Sequence, residues 1–134
     1  MSIFGRIFGK KESQRGRATM GALKPFDKQR IREEWGRIAQ LAQTARPSAY
    51  KEAVIAADKL LDYALGQIAS GETLGERLKN ADAAFPRSVY QGLWDAHKMR
   101  NALVHETDFD LPVLVAKELL EKFRQGFTAL GVDL

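Results

Sequence analysis

The chain has 134 residues, the length of one domain with a modest core. Hydrophobic residues make up 45% and charged residues 28%, as in soluble globular proteins, and the absence of cysteine excludes disulfide scaffolds, cysteine-based zinc sites and thiol nucleophiles. The net charge of +4 is unevenly spread: residues 1–24 hold six basic residues and one acid, and the remainder holds 15 basic and 16 acidic, so no basic nucleic-acid groove on the body follows from it.

Residues 1–24 read as a flexible basic tail punctuated by Gly5, Gly9, Gly16 and Gly21. Its start, MSIFGRIFGKK, is no secretion signal, because Arg6 interrupts the apolar part and no small-residue cleavage site follows. As a short helix it would put Ile3, Phe4, Ile7 and Phe8 on one face, flanked by Arg6, Lys10 and Lys11. Residues 3–11 therefore suit a weak contact with an acidic membrane surface or a partner's groove. No apolar run is long enough to span a bilayer. Together with the missing cysteines, this fits a cytoplasmic protein.

Residues 25–134 read as one all-α domain, an up-and-down bundle of four or five helices. No stretch alternates apolar and polar residues, and no Asn-Gly or Asp-Gly hairpin occurs. The first helix is expected over about Pro25–Ala45, with Ile31, Trp35, Ile38, Leu41 and Ala42 at spacings of three and four. Pro47 stops it and suits the first turn of the next. The second, about Ser48–Ala69, carries the stripe Tyr50, Val54, Ala57, Leu61, Leu65 and Ile68 and ends at Ser70-Gly71. Thr73 and Glu76 form a capping-box pattern for a short helix with Leu74 and Leu78 on one face. Pro86 starts a fourth helix that runs to about His105. Asp110 is the expected cap of the last, which has Pro112 in its first turn. Its apolar side is Ala116, Leu120, Phe123, Phe127 and Leu130, and Gly131 ends it. The short connections favour antiparallel neighbours.

The fourth helix holds the unusual chemistry. At about 100° per residue, Arg100 falls among Val89, Leu93, Ala96 and Val104, near the middle of the apolar sector. His97, Asn101 and His105 follow at about 60°, 100° and 140° from it, with Tyr90 and Trp94 in the same arc and Lys98 on the solvent side. An arginine in a core-facing sector is costly unless paired and hydrogen-bonded, and it cannot shed its charge. Either a buried acid clamps it, with Asp58 and Asp62 at the edge of the second helix's stripe as candidates, or it lines a cleft or subunit interface and awaits an anion. Each neighbour has its own structural explanation. His105 suits the C-terminal end of a helix dipole, Asn101 can bond across to another helix, and His97 can be a partly exposed helix residue. His97 and His105 are the only imidazoles, eight residues apart with no acidic cluster beside them, so no metal site and no cofactor is expected.

The segment RNALVH, Arg100 to His105, has the pattern Arg-Asn-x-x-x-His and resembles the signature of the HEPN superfamily (higher eukaryotes and prokaryotes nucleotide-binding domains). EAVIAADKLLDYAL, Glu52 to Leu65, is similar to the first core helix of small bacterial members. The likeness covers about residues 46–130. It implies a helical bundle and a homodimer in which the motif helices of two subunits face each other. It also implies metal-independent RNA cleavage, in which the 2′-hydroxyl attacks the adjacent phosphate to give a cyclic phosphate and a free 5′-hydroxyl. On that resemblance Arg100 stabilises the phosphoryl charge, Asn101 orients the phosphate or His105, and His105 is the general acid or base; His97 and Lys98 would contact substrate. Expected partners are then RNA, a second copy, and for a toxin or defence protein an antitoxin or other protein. The alternative is a non-catalytic HEPN-like dimerisation or nucleotide-binding module, tethered by the tail, since one fold can serve different functions. A third expectation is a peripheral membrane or scaffold protein whose function lies in residues 3–11.

Overall fold

The structure, a computed structural model, describes residues 20–106 and 110–134. These are all-helical: α1 is Pro25–Gln43, α2 Pro47–Gly66, α3 Leu74–Asn80, α4 Arg87–His105 and α5 Val113–Ala129, with a 3-10 turn at Asp82–Ala84. No helix among them is long and apolar enough to cross a membrane.

The bundle is organised around α2, which packs against α1, α3, α4 and α5, while α4 also packs on α5. The reason is in the α2 sequence. Tyr50, Val54, Ala57, Leu61, Leu65 and Ile68 all lie in the core, and Ala53, Leu60 and Ala64 extend burial well beyond that stripe. Small alanines let neighbours approach, and the large residues fill the layers between them. Facing α2 are Ile31 and Ile38 from α1 and Ala116, Leu119, Phe123 and Phe127 from α5. Trp35 of α1 meets the Phe127 ring edge-on at 5.6 Å, joining α1 to α5.

Chain punctuation accounts for most helix ends. Pro25 and Pro47 occupy first-turn positions of α1 and α2, where a missing N–H costs nothing. Only Thr44, Ala45 and Arg46 join these two helices, so they run antiparallel. Ala45 takes φ +61°, a left-handed conformation that costs a non-glycine residue roughly 1–2 kcal/mol. After α5, Gly131 at φ +91° lets its own N–H reach the Thr128 carbonyl and the Val132 N–H reach that of Phe127, the Schellman arrangement.

Four expectations are corrected. Packing begins before residue 25: Leu23 is buried, and the Gly21 N–H donates to the Ile68 carbonyl at 2.7 Å, so residues 20–24 belong to the body. The amphipathic segment 3–11 lies outside the described residues. The α-helix of α2 stops at Gly66, and turns carry the chain through Ile68, which is still buried. Asp110 is exposed and caps nothing: Pro112 takes the N-cap position of α5 without a side-chain bond. At α3, Thr73 Oγ1 accepts from the Glu76 N–H, but the Glu76 carboxylate accepts from the Glu72 N–H, one residue before the box would have it.

Two acids are buried among the described residues, Asp27 and Asp58. Asp27 accepts from the Lys24 N–H at 2.9 Å and from the Tyr63 hydroxyl at 3.2 Å, which ties the start of α1 to α2. Burial first, and then that bond to Asp27, push the Tyr63 phenol above its ordinary pKa. Asp58 faces the other way, towards α4.

At Gly126, α5 lies close against Leu93 of α4. A methyl group there would stand 2.7 Å from Cδ2 of Leu93, which is fully buried. In an open helix Gly→Ala gains about 1 kcal/mol. Here Gly126→Ala is expected to lose about 1–3 kcal/mol through overpacking, read as a lower urea midpoint at unchanged slope. A stabilised variant would contradict this packing.

Candidate functional site

Helix α4 turns Gly92, Leu93, Ala96 and Leu103 into the core. Arg100 lies at the edge of this buried sector, not at its middle as the apolar pattern implied. Val89, about 20° from Arg100 towards Ala96, is half-buried, and Val104, about 40° to the other side, is 43% exposed. The apolar sector of α4 is therefore wider than its buried sector. The surplus forms a half-exposed strip carrying Tyr90, Trp94, His97, Asn101 and Val104.

Beside this strip an open cleft of about 580 Å³ lies between α2, the start of α3 and α4. Ile55, Asp58, Lys59 and Asp62 form its α2 wall, Thr73, Leu74 and Gly75 its end, and His97 and Arg100 its α4 wall. Trp94 closes against Gly75, where a Cβ would meet its ring at 3.4 Å.

Asp58 is the centre of the site. Its Oδ1 lies 2.9 Å from Nδ1 of His97, and its Oδ2 lies 3.4 Å from Nε of Arg100. The acid named by sequence as a possible clamp for Arg100 does contact it, but the contact is loose. Arg100 Nε is buried, with no hydrogen-bond partner among the described residues. Nη1 of the same guanidinium donates to Asn101 Oδ1 at 3.1 Å. The Arg100 side chain is 31% exposed, against 4% for Asp58 and 15% for His97. Asp62, the other suggested clamp, instead pairs with Arg77 of α3.

The five residues singled out from sequence therefore separate. Arg100 and His97 line the cleft, and Asn101 is held to Arg100. Lys98 is exposed and is not among the lining residues. His105 is exposed at the last position of α4, where the helix dipole favours a histidine, and is likewise not among them. Eight residues place it about 12 Å along the axis from His97. Asp58 and Thr73 enter the site from α2 and the α3 cap. Asp58 was visible in the sequence only as a clamp for Arg100, because its bond to His97 depends on the register between α2 and α4.

A guanidinium, an imidazole held by a carboxylate, and Lys59 at the rim can bind an oxyanion and exchange protons with it. Among the lining side chains Lys59 and Arg100 balance Asp58 and Asp62, and Asp62 is itself paired with Arg77 of α3. Among the described residues, no group of three or more histidine, aspartate or glutamate side chains could hold a metal ion. No protein-family model, curated protein or solved structure matches the chain.

Asp58→Ala leaves His97 Nδ1 without its hydrogen-bond partner and Arg100 without the carboxylate that faces it. It is expected to destabilise the fold by about 1–3 kcal/mol. Adding Arg100→Leu should recover part of that loss, because the uncompensated cation goes with it. Urea melts of the two single variants and the double variant measure this coupling; additive effects would contradict a shared cluster.

Proposed function

We propose that the protein is a metal-independent endoribonuclease of HEPN type, acting as a homodimer with a composite site of Arg100, Asn101 and His105. The observation that carries this reading is the placement of Arg100. It stands in the wall of an open cleft, partly exposed, loosely held by Asp58 and bonded to Asn101. A guanidinium so placed has capacity left for a phosphate, and its contacts strengthen as charge builds on the phosphoryl oxygens.

The position of His105 supports the dimer. It does not line its own chain's cleft, so a site using both Arg100 and His105 needs a second copy. Asn101 lies four residues from each histidine. Two α4 helices packed antiparallel about a two-fold axis level with Asn101 would set His97 of each copy opposite His105 of the other. His97, Asn101 and His105 span an arc of about 80° on the half-exposed strip, beside the exposed Val104. An isologous contact of this kind is the commonest way for a protein to form a dimer.

In the reaction a ribose 2′-oxygen attacks the adjacent phosphorus and the bond to the 5′-oxygen breaks. One imidazole takes the 2′ proton and another gives a proton to the leaving oxygen. Arg100 would stabilise the charge on the non-bridging oxygens, and Asn101 would hold the guanidinium in place.

A second reading, a HEPN-like dimerisation or nucleotide-binding module without catalysis, is favoured by one observation: within one chain His105 stands apart from the cleft.

The deciding experiment is cleavage of mixed single-stranded RNA in EDTA by folded wild type, His105→Ala and Arg100→Ala of equal oligomeric state. Wild type is expected to cut, leaving cyclic-phosphate and 5′-hydroxyl ends, with each variant slower by about 100-fold or more. Failure of wild type to cut several RNAs would reject the nuclease and leave the binding module.

A further inference from the structure

We propose that His97, oriented by Asp58, is the general base that takes the 2′-hydroxyl proton, and that His105 is the general acid at the leaving 5′-oxygen. This inference rests on the nuclease reading above and assigns the two proton transfers within it.

The argument starts from how Asp58 divides its two oxygens. A buried carboxylate whose purpose was to clamp a buried arginine would present both oxygens to the guanidinium, since the bidentate arrangement is the strong one. Asp58 instead gives His97 the well-formed bond, Nδ1 to Oδ1 at 2.9 Å, and leaves Arg100 Nε at 3.4 Å without a hydrogen bond. The imidazole, and not the permanently charged guanidinium, receives the better geometry. That arrangement sets a tautomer. A carboxylate accepts, so Nδ1 carries the proton and the lone pair of a neutral ring lies on Nε2. A buried acid that orients a histidine in this way is the recurrent support of catalytic bases.

The surroundings fit proton abstraction beside an anion. His97 and Arg100 line the same cleft and face the two oxygens of one carboxylate, Asp58. The charged groups that line the cleft beside His97 are Asp58, Lys59 and Asp62 from α2 and Arg100 from α4, with Asp62 paired to Arg77 of α3. Thr73 adds a neutral hydroxyl. His105 has no such acid partner among the described residues and sits exposed at its helix end, open to donate a proton to a departing oxygen.

The protons balance. Nε2 of His97 accepts the 2′ proton as the 2′-oxygen bonds to phosphorus; the phosphorus–5′-oxygen bond breaks; and a proton passes from the His105 imidazolium to the 5′-oxygen. The products are a 2′,3′-cyclic phosphate and a 5′-hydroxyl. Solvent then returns both imidazoles to their starting states.

The test uses the full chain and, once the cleaved linkage is mapped, an RNA in which sulfur replaces the bridging 5′-oxygen at that linkage. A thiolate departs without a proton, because a thiol is a far stronger acid than a sugar hydroxyl. On ordinary RNA, His97→Gln and His105→Ala should each lose about 100-fold or more in single-turnover rate. On the sulfur substrate His105→Ala should recover to near wild type while His97→Gln stays slow. Asp58→Asn, a positioning variant, should lower kcat and leave KM within about threefold, since the amide can donate to Nδ1 and move the ring proton to Nε2. It replaces His97→Gln if that variant unfolds. Wild-type cleavage with His97→Gln within threefold of it, or rescue of His97→Gln by sulfur, would overturn this assignment and leave the nuclease reading standing. No cleavage by wild type would remove both.

Discussion

Asp58 is a carboxylate on the helix that every other helix packs against, and its position constrains one end of the molecule. Helix α2 is buried over most of its circumference, so an acid there has little access to water. A buried charge without partners would cost several kcal/mol. Helix α4 must therefore bring His97 and Arg100 to the level of Asp58, which sets the register of α4 against α2. It also keeps Arg100 at the margin of the core, so that Leu93, Ala96 and Leu103 carry the packing. The cleft follows from the same constraint. Side chains that serve an acid cannot also fill the space beside it, and the short α3, braced by Gly75 against Trp94, closes only one end.

Asp27 plays a comparable part on the far side of α2 with a different result. Its partners are a backbone N–H and the Tyr63 hydroxyl, both neutral donors, and they fasten the entrance of α1, while the Gly21 N–H bond to the Ile68 carbonyl ties down the segment before it. No cation shares that carboxylate through a hydrogen bond among the described residues, whereas Asp58 stands between an imidazole and a guanidinium. Two buried acids of one type thus serve different ends: one anchors the chain, and the other organises groups able to bind an anion and move a proton. The difference lies in what the neighbouring helices present.

Most of the fold was legible because helical burial has a period that sequence records. The six-residue stripe read for α2 is buried throughout; α1 buries Ile31 and Ile38 and α5 buries Ala116, Phe123 and Phe127, while Trp35, Leu41, Ala42, Leu120 and Leu130 are only partly buried and Leu119 is buried beside them. What failed was local punctuation that depends on geometry. A short acidic side chain at Asp110 looked like a cap, but the chain turns into α5 only at Pro112. The packing of Leu23 and Gly21 had no periodic signal, since five residues before a proline are too few to show one. In α4 the apolar sector was wider than the buried one, because a sequence cannot distinguish a residue facing the core from one facing the wall of a cleft.

By itself, the sequence determined an all-helical bundle, an arginine in an apolar sector that calls for a counter-charge, from a buried acid or from a bound anion, and two histidines on one arc beside it. Those are properties of spacing along single helices. The tertiary structure alone decided which acid meets which base. Asp58 bonds His97 in preference to Arg100, Asp62 goes to Arg77, and His105 stays outside the cleft. The physical reason is that a hydrogen bond requires alignment within a few tenths of an ångström across two helices, and their relative register is set by the summed packing of α1, α2, α4 and α5.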